Sequence, residues 1–314
     1  MKLVMLTGGI LAAALLIFGA ALVASNRALD DEAISATASS DRADTTMAPG
    51  ATAKGQSYAG AAPENAKALA AAHVPFPAAL APAPAGDVVK VHMVLKDDAV
   101  VEEVIAACRA GFSPGVFLID HSTTLPAATA QRAARLRAEG LQYLHCPVFM
   151  GPPAARNAQG SMLVAGPRAW FDAVAPELAR MTGKLQYVGE RSDLAAAMKL
   201  QGNAMIIGLA AVMADVLTLA QASDMPGEDA IALLGLLDLN AMVKGRGMNM
   251  AKGDFAASFE LAMARKDVGL MLEATAGRPM AALPAVAARM DQLIAAGHGA
   301  DDACVLGVDA VRRQ

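Results

Sequence analysis

The stretch Val88-Val-Lys-Val-His-Met-Val-Leu95, then Lys96-Asp97-Asp98, then Ala99 to Arg109, then Val116-Phe-Leu-Ile-Asp120, reads as strand, helix, strand. Both strand runs are nearly continuous in apolar residues, as expected for strands covered on both faces of a parallel sheet. Asp98 is placed to cap the intervening helix. His121-Ser122-Thr123-Thr124 closes the second strand. Leu125 to Glu139 reads as a helix with Pro126 in its first turn and Gly140 at its end. Leu141-Gln-Tyr-Leu-His145 and Met162-Leu-Val-Ala165 continue the strand pattern. Strands alternating with helices predict βα units on a mostly parallel sheet. Ligands of such sheets sit beyond the carboxyl ends of the strands, which here are Val94–Asp98 and Asp120–Thr124.

Beyond Gly189 only helices are predicted: Leu194–Ser223, Gly227–Leu237, Ser258–Thr275 and Leu283–Ala296. The chain therefore divides into an α/β domain over 1–188 and an all-α domain over 189–314. Upstream of the strand-helix-strand stretch, Glu64–Ala72 is helix-like, and Pro75, Pro77, Pro82 and Pro84 mark a loop region. Between about 28 and 63, Ala, Ser, Thr, Gly and Asp dominate without apolar periodicity. That composition reads as a linker or low-complexity insertion.

The N-terminus supports two readings. Leu3–Ser25 carries no charged side chain over 23 residues, more than the ~18 that suggest a membrane span. Lys2 precedes it and Leu22-Val23-Ala24-Ser25 has the look of a small-residue cleavage site. In the other reading, Lys2–Leu6 is a buried first strand, and Thr7-Gly8-Gly9-Ile10-Leu11-Ala12 is the turn of a dinucleotide-binding unit. Measured against G-x-G-x-x-G/A, Gly9 and Ala12 match, while Thr7 stands at the first glycine.

Composition narrows the function. With 55% hydrophobic and 18% charged residues, the chain is not disordered throughout. Only 4% is aromatic, which favours small-residue helix packing over a β-sandwich. A net charge of −4 argues against a dedicated nucleic-acid binder. Cys108, Cys146 and Cys304 are odd in number and widely spaced, and no H-E-x-x-H occurs, so neither a disulfide framework nor a metal site is predicted.

Four segments together carry a resemblance. Ile119-Asp120-His121-Ser122-Thr123-Thr124-Leu125-Pro126 resembles the D-x-S-T-x-x-P strand end of the β-hydroxyacid dehydrogenases, the 3-hydroxyisobutyrate dehydrogenase group. Lys199-Leu-Gln-Gly-Asn203 resembles that family's K-x-x-x-N helix. Phe259 to Asp267 resembles its F-x-L-x-x-x-x-K-D segment, and Val94-Leu95-Lys96-Asp97-Asp98 its M-L-P-D-D strand end. The resemblance covers residues 64–314 well and 1–12 faintly. It implies an α/β Rossmann-type N-terminal domain with a degenerate first βα unit, followed by an all-α C-terminal domain like that of 6-phosphogluconate dehydrogenase. It implies NADP or NAD as cofactor and a small-molecule substrate. It further implies an oxidoreductase acting on CH–OH groups, a homodimer and a cytoplasmic protein. A membrane is involved only if residues 3–25 act as an anchor.

The residues make that chemistry sensible. Oxidising a hydroxyacid needs a group to take the hydroxyl proton, and a lysine in apolar surroundings has its pKa lowered toward neutrality. Lys199 lies in such a stretch, with Asn203 four residues on and on the same helical face. These two are the expected catalytic residues. Ser122 and Gly151 are expected at the substrate. Gly8, Gly9, Leu95, Lys96, Thr123 and Lys266 are expected at the cofactor. Where the family has S-G-G, this chain has Phe149-Met150-Gly151 before Pro152-Pro153, which predicts a less carboxylate-dependent or more apolar substrate. No clear reader of the adenosine ribose is found, since Asn26-Arg27 and Ala59–Asn65 compete for that position. Two alternatives stand beside the enzyme: a non-catalytic relative with a damaged cofactor site, and a membrane-anchored or exported protein.

Overall fold

The computed structural model describes the backbone of residues 2–8 and 88–311, with side chains over 90–311. The expected helix over 64–72, the insertion near 28–63 and the turn from Gly9 onward lie outside the described residues. Two compact units divide after Gly202.

The first unit is built on one sheet: β1 (Lys2–Gly8), β2 (Val88–Leu95), β3 (Phe117–Asp120), β4 (Gln142–His145), β5 (Val148–Phe149), β6 (Ser161–Ala165) and β7 (Lys184–Gly189). The order is β1-β2-β3-β4-β6-β5, with β7 on β6. The first four strands run parallel; β6 opposes β4 and β5 and runs parallel to β7. Their register brings Gly8 beside Leu95, Met93 beside Asp120, and Asp120 beside His145. The carboxyl ends of β1 to β4 thus share one edge, where ligands of open α/β sheets bind.

Alternation along the strands builds the core on two faces. Val91, Met93 and Leu95 of β2 point to one side, where they pack with Leu118, Ile105 and Leu136. Val94, Ile119, Leu144 and Val164 point to the other, against Val174 and Leu178. The covering helices are α1 (Asp98–Cys108), α2 (Pro126–Ala138), the short α3 (Pro152–Arg156) and α4 (Arg168–Leu178). Pro126 starts α2 as read from sequence. The cap of α1 is one residue earlier than expected: Asp97, with extended backbone, accepts from Val100 N at 3.0 Å. Asp98 is already helical and its carboxylate is used elsewhere. Two strands, β5 and β7, and helices α3 and α4 were not anticipated in the sequence pattern.

After β7 the described chain is helical: α5 (Leu194–Ala222), α6 (Gly227–Ala232), α7 (Leu239–Lys252), α8 (Leu261–Ala274) and α9 (Leu283–Leu293). The first turns of α5 belong to the first unit, because Ala195 packs on Leu163 and Ala165 with Leu194 and Val188 alongside. The second unit has its own core of Leu261, Val268, Met290, Leu293 and Val305. Two buried carboxylates pin its loops. Asp215 accepts from the backbone N–H groups of Ala281, Ala282 and Leu283. Asp302 accepts from Ser258 N, Ser258 Oγ, Phe259 N and Cys304 N. These bonds hold both acids below the usual carboxylate range despite the opposing push of burial. They also explain why α8 starts at Leu261 rather than Ser258: the N–H groups of Ser258 and Phe259 serve Asp302.

Candidate active site

The turn after β3 is fastened from every side. Asp120, fully buried, accepts from Ser122 N at 2.9 Å and from the Tyr143 hydroxyl at 2.7 Å. Arg132 Nη1 stands 3.6 Å from the same carboxylate and donates to the Tyr143 oxygen at 3.3 Å. Arg132 Nη2 donates to Asp98 at 2.7 Å, and the other Asp98 oxygen accepts from Leu125 N at 2.8 Å. An arginine with no exposed side chain is tolerated only with such paired partners. Burial and the neighbouring Asp120 push the Tyr143 phenol well above its ordinary pKa.

Ser122 is buried too. Its Oγ accepts from Leu95 N at 2.9 Å, tying the end of β2 to the end of β3. Its carbonyl accepts from His145 Nε2 at 3.0 Å, which fixes the hydrogen of His145 on that nitrogen. Thr124 bonds Thr129 at 2.8 Å and His145 at 3.1 Å. His121 Nδ1 donates to the Cys146 carbonyl at 2.8 Å, leaving its Nε2 to meet His92 Nδ1 at 2.9 Å. Burial, followed by His92, lowers His121 to about 3, so it is neutral at pH 7. His92 Nε2 faces Glu177 at 3.4 Å, and Lys90 also pairs with that acid. Burial raises the Glu177 pKa, but the neighbouring His92 and Lys90 prevail and bring it to about 2. Of Ser122, Thr123 and Thr124, only Thr123 is exposed.

A second group lies at the junction of β5 and α5. The Lys199 ammonium sits over the face of Phe149, 4.2 Å from the ring centroid. Burial lowers the Lys199 pKa from its ordinary value. Asn203 follows one helical turn on, and both are half-buried. Gly151 caps α3 with extended backbone.

The predicted site residues therefore fall into groups. Gly8, Leu95, Ser122 and Thr123 come together at the strand ends, with Lys96 on the loop after β2, mostly exposed and 3.7 Å from Asp97. Lys199 meets Phe149, two residues before Gly151. Lys266 lies in the helical unit on α8, paired with Asp267 at 2.9 Å. Gly9 is outside the described residues. Sequence reasoning missed the Asp120–Tyr143–Arg132–Asp98 network. Its signal was a charged residue, Arg132, in the buried helical stripe Thr129, Ala133, Leu136.

The family described as the NAD binding domain of 6-phosphogluconate dehydrogenase matches residues 41–189. The 2-(hydroxymethyl)glutarate dehydrogenase of Eubacterium barkeri is 26% identical over 54% of this chain and 56% of its own length. The 2-hydroxy-3-oxopropionate reductase of Escherichia coli is 26% identical over 58% of this chain and 64% of its own. The chain is thus similar to the β-hydroxyacid dehydrogenases, most clearly over its NAD-binding part. It spans less than two thirds of the length of these relatives. The family match starts at residue 41, so Gly8 and Gly9 lie outside it.

The fold agrees with the family. An imine reductase from Myxococcus stipitatus, solved with NADP+, superposes with a TM-score of 0.63 at 18% identity, covering 69% of this chain and 78% of the other. The Rossmann-type sheet domain followed by a helical region is thus the expected two-part architecture. Against the family pattern, the β3 turn is kept and the S-G-G turn is replaced by Phe149-Met150-Gly151.

Proposed function

We propose that this protein is an NAD(P)-dependent oxidoreductase that moves a hydride between the nicotinamide and a β-hydroxyacid or related small carbonyl compound. Lys199 is its general acid/base. The observation that carries this reading is Lys199 itself: a half-buried ammonium of lowered pKa, in a chain of an NAD-binding family, on the unit that holds the fastened β3 turn. The described residues fit the nicotinamide half of the cofactor. Gly8 and Leu95 end adjacent parallel strands, Ser122 lies in the turn after the next strand, and Thr123 is the turn residue left exposed to meet it. Bound NAD(P) supplies hydride exchange at its nicotinamide ring. Ser122 fixes the distance between the β2 and β3 ends, and Thr123 and Lys96 face that edge. In the oxidising direction the neutral Lys199 amine takes the hydroxyl proton. In the reducing direction its ammonium returns a proton to the carbonyl oxygen. Asn203, four residues on along the same helix, orients the substrate oxygen.

The test is the Lys199→Ala variant with a pH–rate profile. Loss of general acid/base catalysis costs on the order of 10²–10⁴ in kcat. Reduction should decline, and oxidation rise, through one midpoint below the ordinary lysine pKa, and both limbs should vanish in the variant. An unchanged rate in the variant would reject Lys199. A non-catalytic relative is the second reading, favoured by the family match that begins at residue 41. It predicts no nucleotide binding at all.

We further propose a homodimer. Among the described residues, α5 is the helix long and apolar enough to cross a membrane, and most of that stretch is uncovered. Met205, Ile206, Ile207 and Leu209 are each more than half exposed. A lipid span is disfavoured because Asp215, on the same helix, is held by the backbone of Ala281–Leu283. A second copy covers such a face without exposing that carboxylate to lipid. Ile206→Glu should convert a dimer to a monomer by sedimentation; a monomeric parent would overturn the assignment. We propose a cytoplasmic location, supported by the pairing of Lys2–Gly8 with β2 as a strand, which withdraws the start of the 3–25 stretch from a spanning helix. Recovery in membranes, or cleavage near Ser25, would contradict this.

A further inference from the structure

Lys199 does not hold its position alone. Phe149 lies on the edge strand β5, paired with Ser161, and its ring packs beside Leu163, Ala165 and Ala195. One face of the ring carries the Lys199 ammonium. The ring also fills the space above Gly202: a Cβ at that residue would stand 2.3 Å from Phe149 Cζ and 2.6 Å from Cε1. Glycine inside a helix costs about 1 kcal/mol relative to alanine, so its presence here calls for a packing reason. The ring is that reason. The turn that follows is poor in donors for an anion. Phe149 and Met150 have no hydroxyl or amide side chain, and Pro152 and Pro153 remove two backbone N–H groups from the start of α3.

From this geometry we propose that Phe149 is a specificity-determining residue, which seats the Lys199 ammonium and selects carbonyl substrates with an uncharged apolar flank over those with a carboxylate. The inference rests on the dehydrogenase reading and names its substrate class. The physical argument has two parts. A ring face is the negative side of an aromatic quadrupole, so it attracts the ammonium and repels a carboxylate. A carboxylate pressed against it would also lose water without gaining donors.

The test uses the full-length protein with saturating NADPH or NADH and two four-carbon aldehydes, butanal and succinic semialdehyde. The parent is expected to show at least a tenfold higher kcat/KM for butanal. Phe149→Ser, which supplies a hydroxyl and removes the ring, should move the ratio toward the acid by about tenfold to a hundredfold, the scale of one or two units of 1.4 kcal/mol. Phe149→Leu, which keeps apolar volume, should keep the preference for butanal. Equal loss of both activities in Phe149→Ser, or a parent that prefers the acid, would overturn the assignment while leaving the dehydrogenase reading in place. A parent that binds nucleotide and reduces neither aldehyde would overturn both. An independent readout is the 13C resonance of reductively dimethylated Lys199, which the ring current should shift in the parent and not in Phe149→Leu. An identical resonance in the two proteins would remove the seat.

Discussion

The two turns at the strand ends of the first unit are built on opposite principles. Asp120–Thr124 is polar and, apart from Thr123, buried, and its polar groups are bonded to Arg132, Tyr143, His145 and Leu95 among others. Phe149–Gly151 is apolar and half-exposed, held by packing against Leu163, Ala165 and Ala195, with a glycine opposite its ring. The first turn matches the family pattern and the second departs from it. A network of directional bonds has one solution, so a change in any member disturbs all of it. An apolar contact tolerates volume-conserving exchange. The comparison teaches that one strand-end turn is fixed by directional bonds and the other, which carries Lys199 on its ring, by packing.

Breaking the wired side should have the largest effect. Arg132→Met leaves the buried Asp120 and the part-buried Asp98 without their cation, and denaturant unfolding of the first unit should show a loss of about 3–5 kcal/mol. A loss under 1 kcal/mol would mean that the network does not hold the turn. On the packed side, Gly202→Ala forces its Cβ into Phe149 and should cost about 1–3 kcal/mol by the same measurement. Combining it with Phe149→Ala should recover part of that loss, because the clashing ring is gone; strict additivity would show that the two residues do not touch.

Acid should separate the turns further. His121 is about 3 in the folded protein and higher when unfolded, so the unfolded chain binds the extra proton as pH falls below the ordinary histidine range. Glu177, at about 2 when folded, likewise protonates first in the unfolded chain. Stability is thus complete above the unfolded values and declines as pH falls toward 3, by about 1.4 kcal/mol per pH unit for each proton taken up. Phe149→Leu should follow the same acid curve as the parent, since no titrating group of the network touches that ring. The smallest effect is Ser122→Ala, which strands Leu95 N and should cost about 1 kcal/mol, read as faster amide exchange at Leu95.

Much of this was legible in the sequence. The runs at Val88–Leu95, Val116–Asp120 and Leu141–His145 announced their strands because both faces are covered, so their apolar patterns are unbroken. Strand β7 did not announce itself: it is a mixed, half-exposed strand, Lys184-Leu-Gln-Tyr-Val-Gly189. Helix α7 was missed because Gly245, Gly247 and several polar residues blur its periodicity, and none of its residues is buried. Lys199, Asn203 and the Phe149 departure were picked out by the resemblance to the family's K-x-x-x-N and S-G-G motifs. The hidden role of Ser122 could not, since the N–H it serves belongs to Leu95, 27 residues away. The choice of Asp97 over Asp98 as cap was equally invisible, because Asp98 is drawn off by Arg132, 34 residues on.

The central claim is that the packed end has changed while the protein still binds nucleotide and uses Lys199. Fluorescence titration of the full-length protein with NADPH and NADH, repeated on Lys199→Ala and followed by turnover, tests it most directly. The account predicts micromolar binding of at least one nucleotide by both proteins and turnover by the parent alone. Absence of binding by the parent, or equal turnover by both, would contradict it.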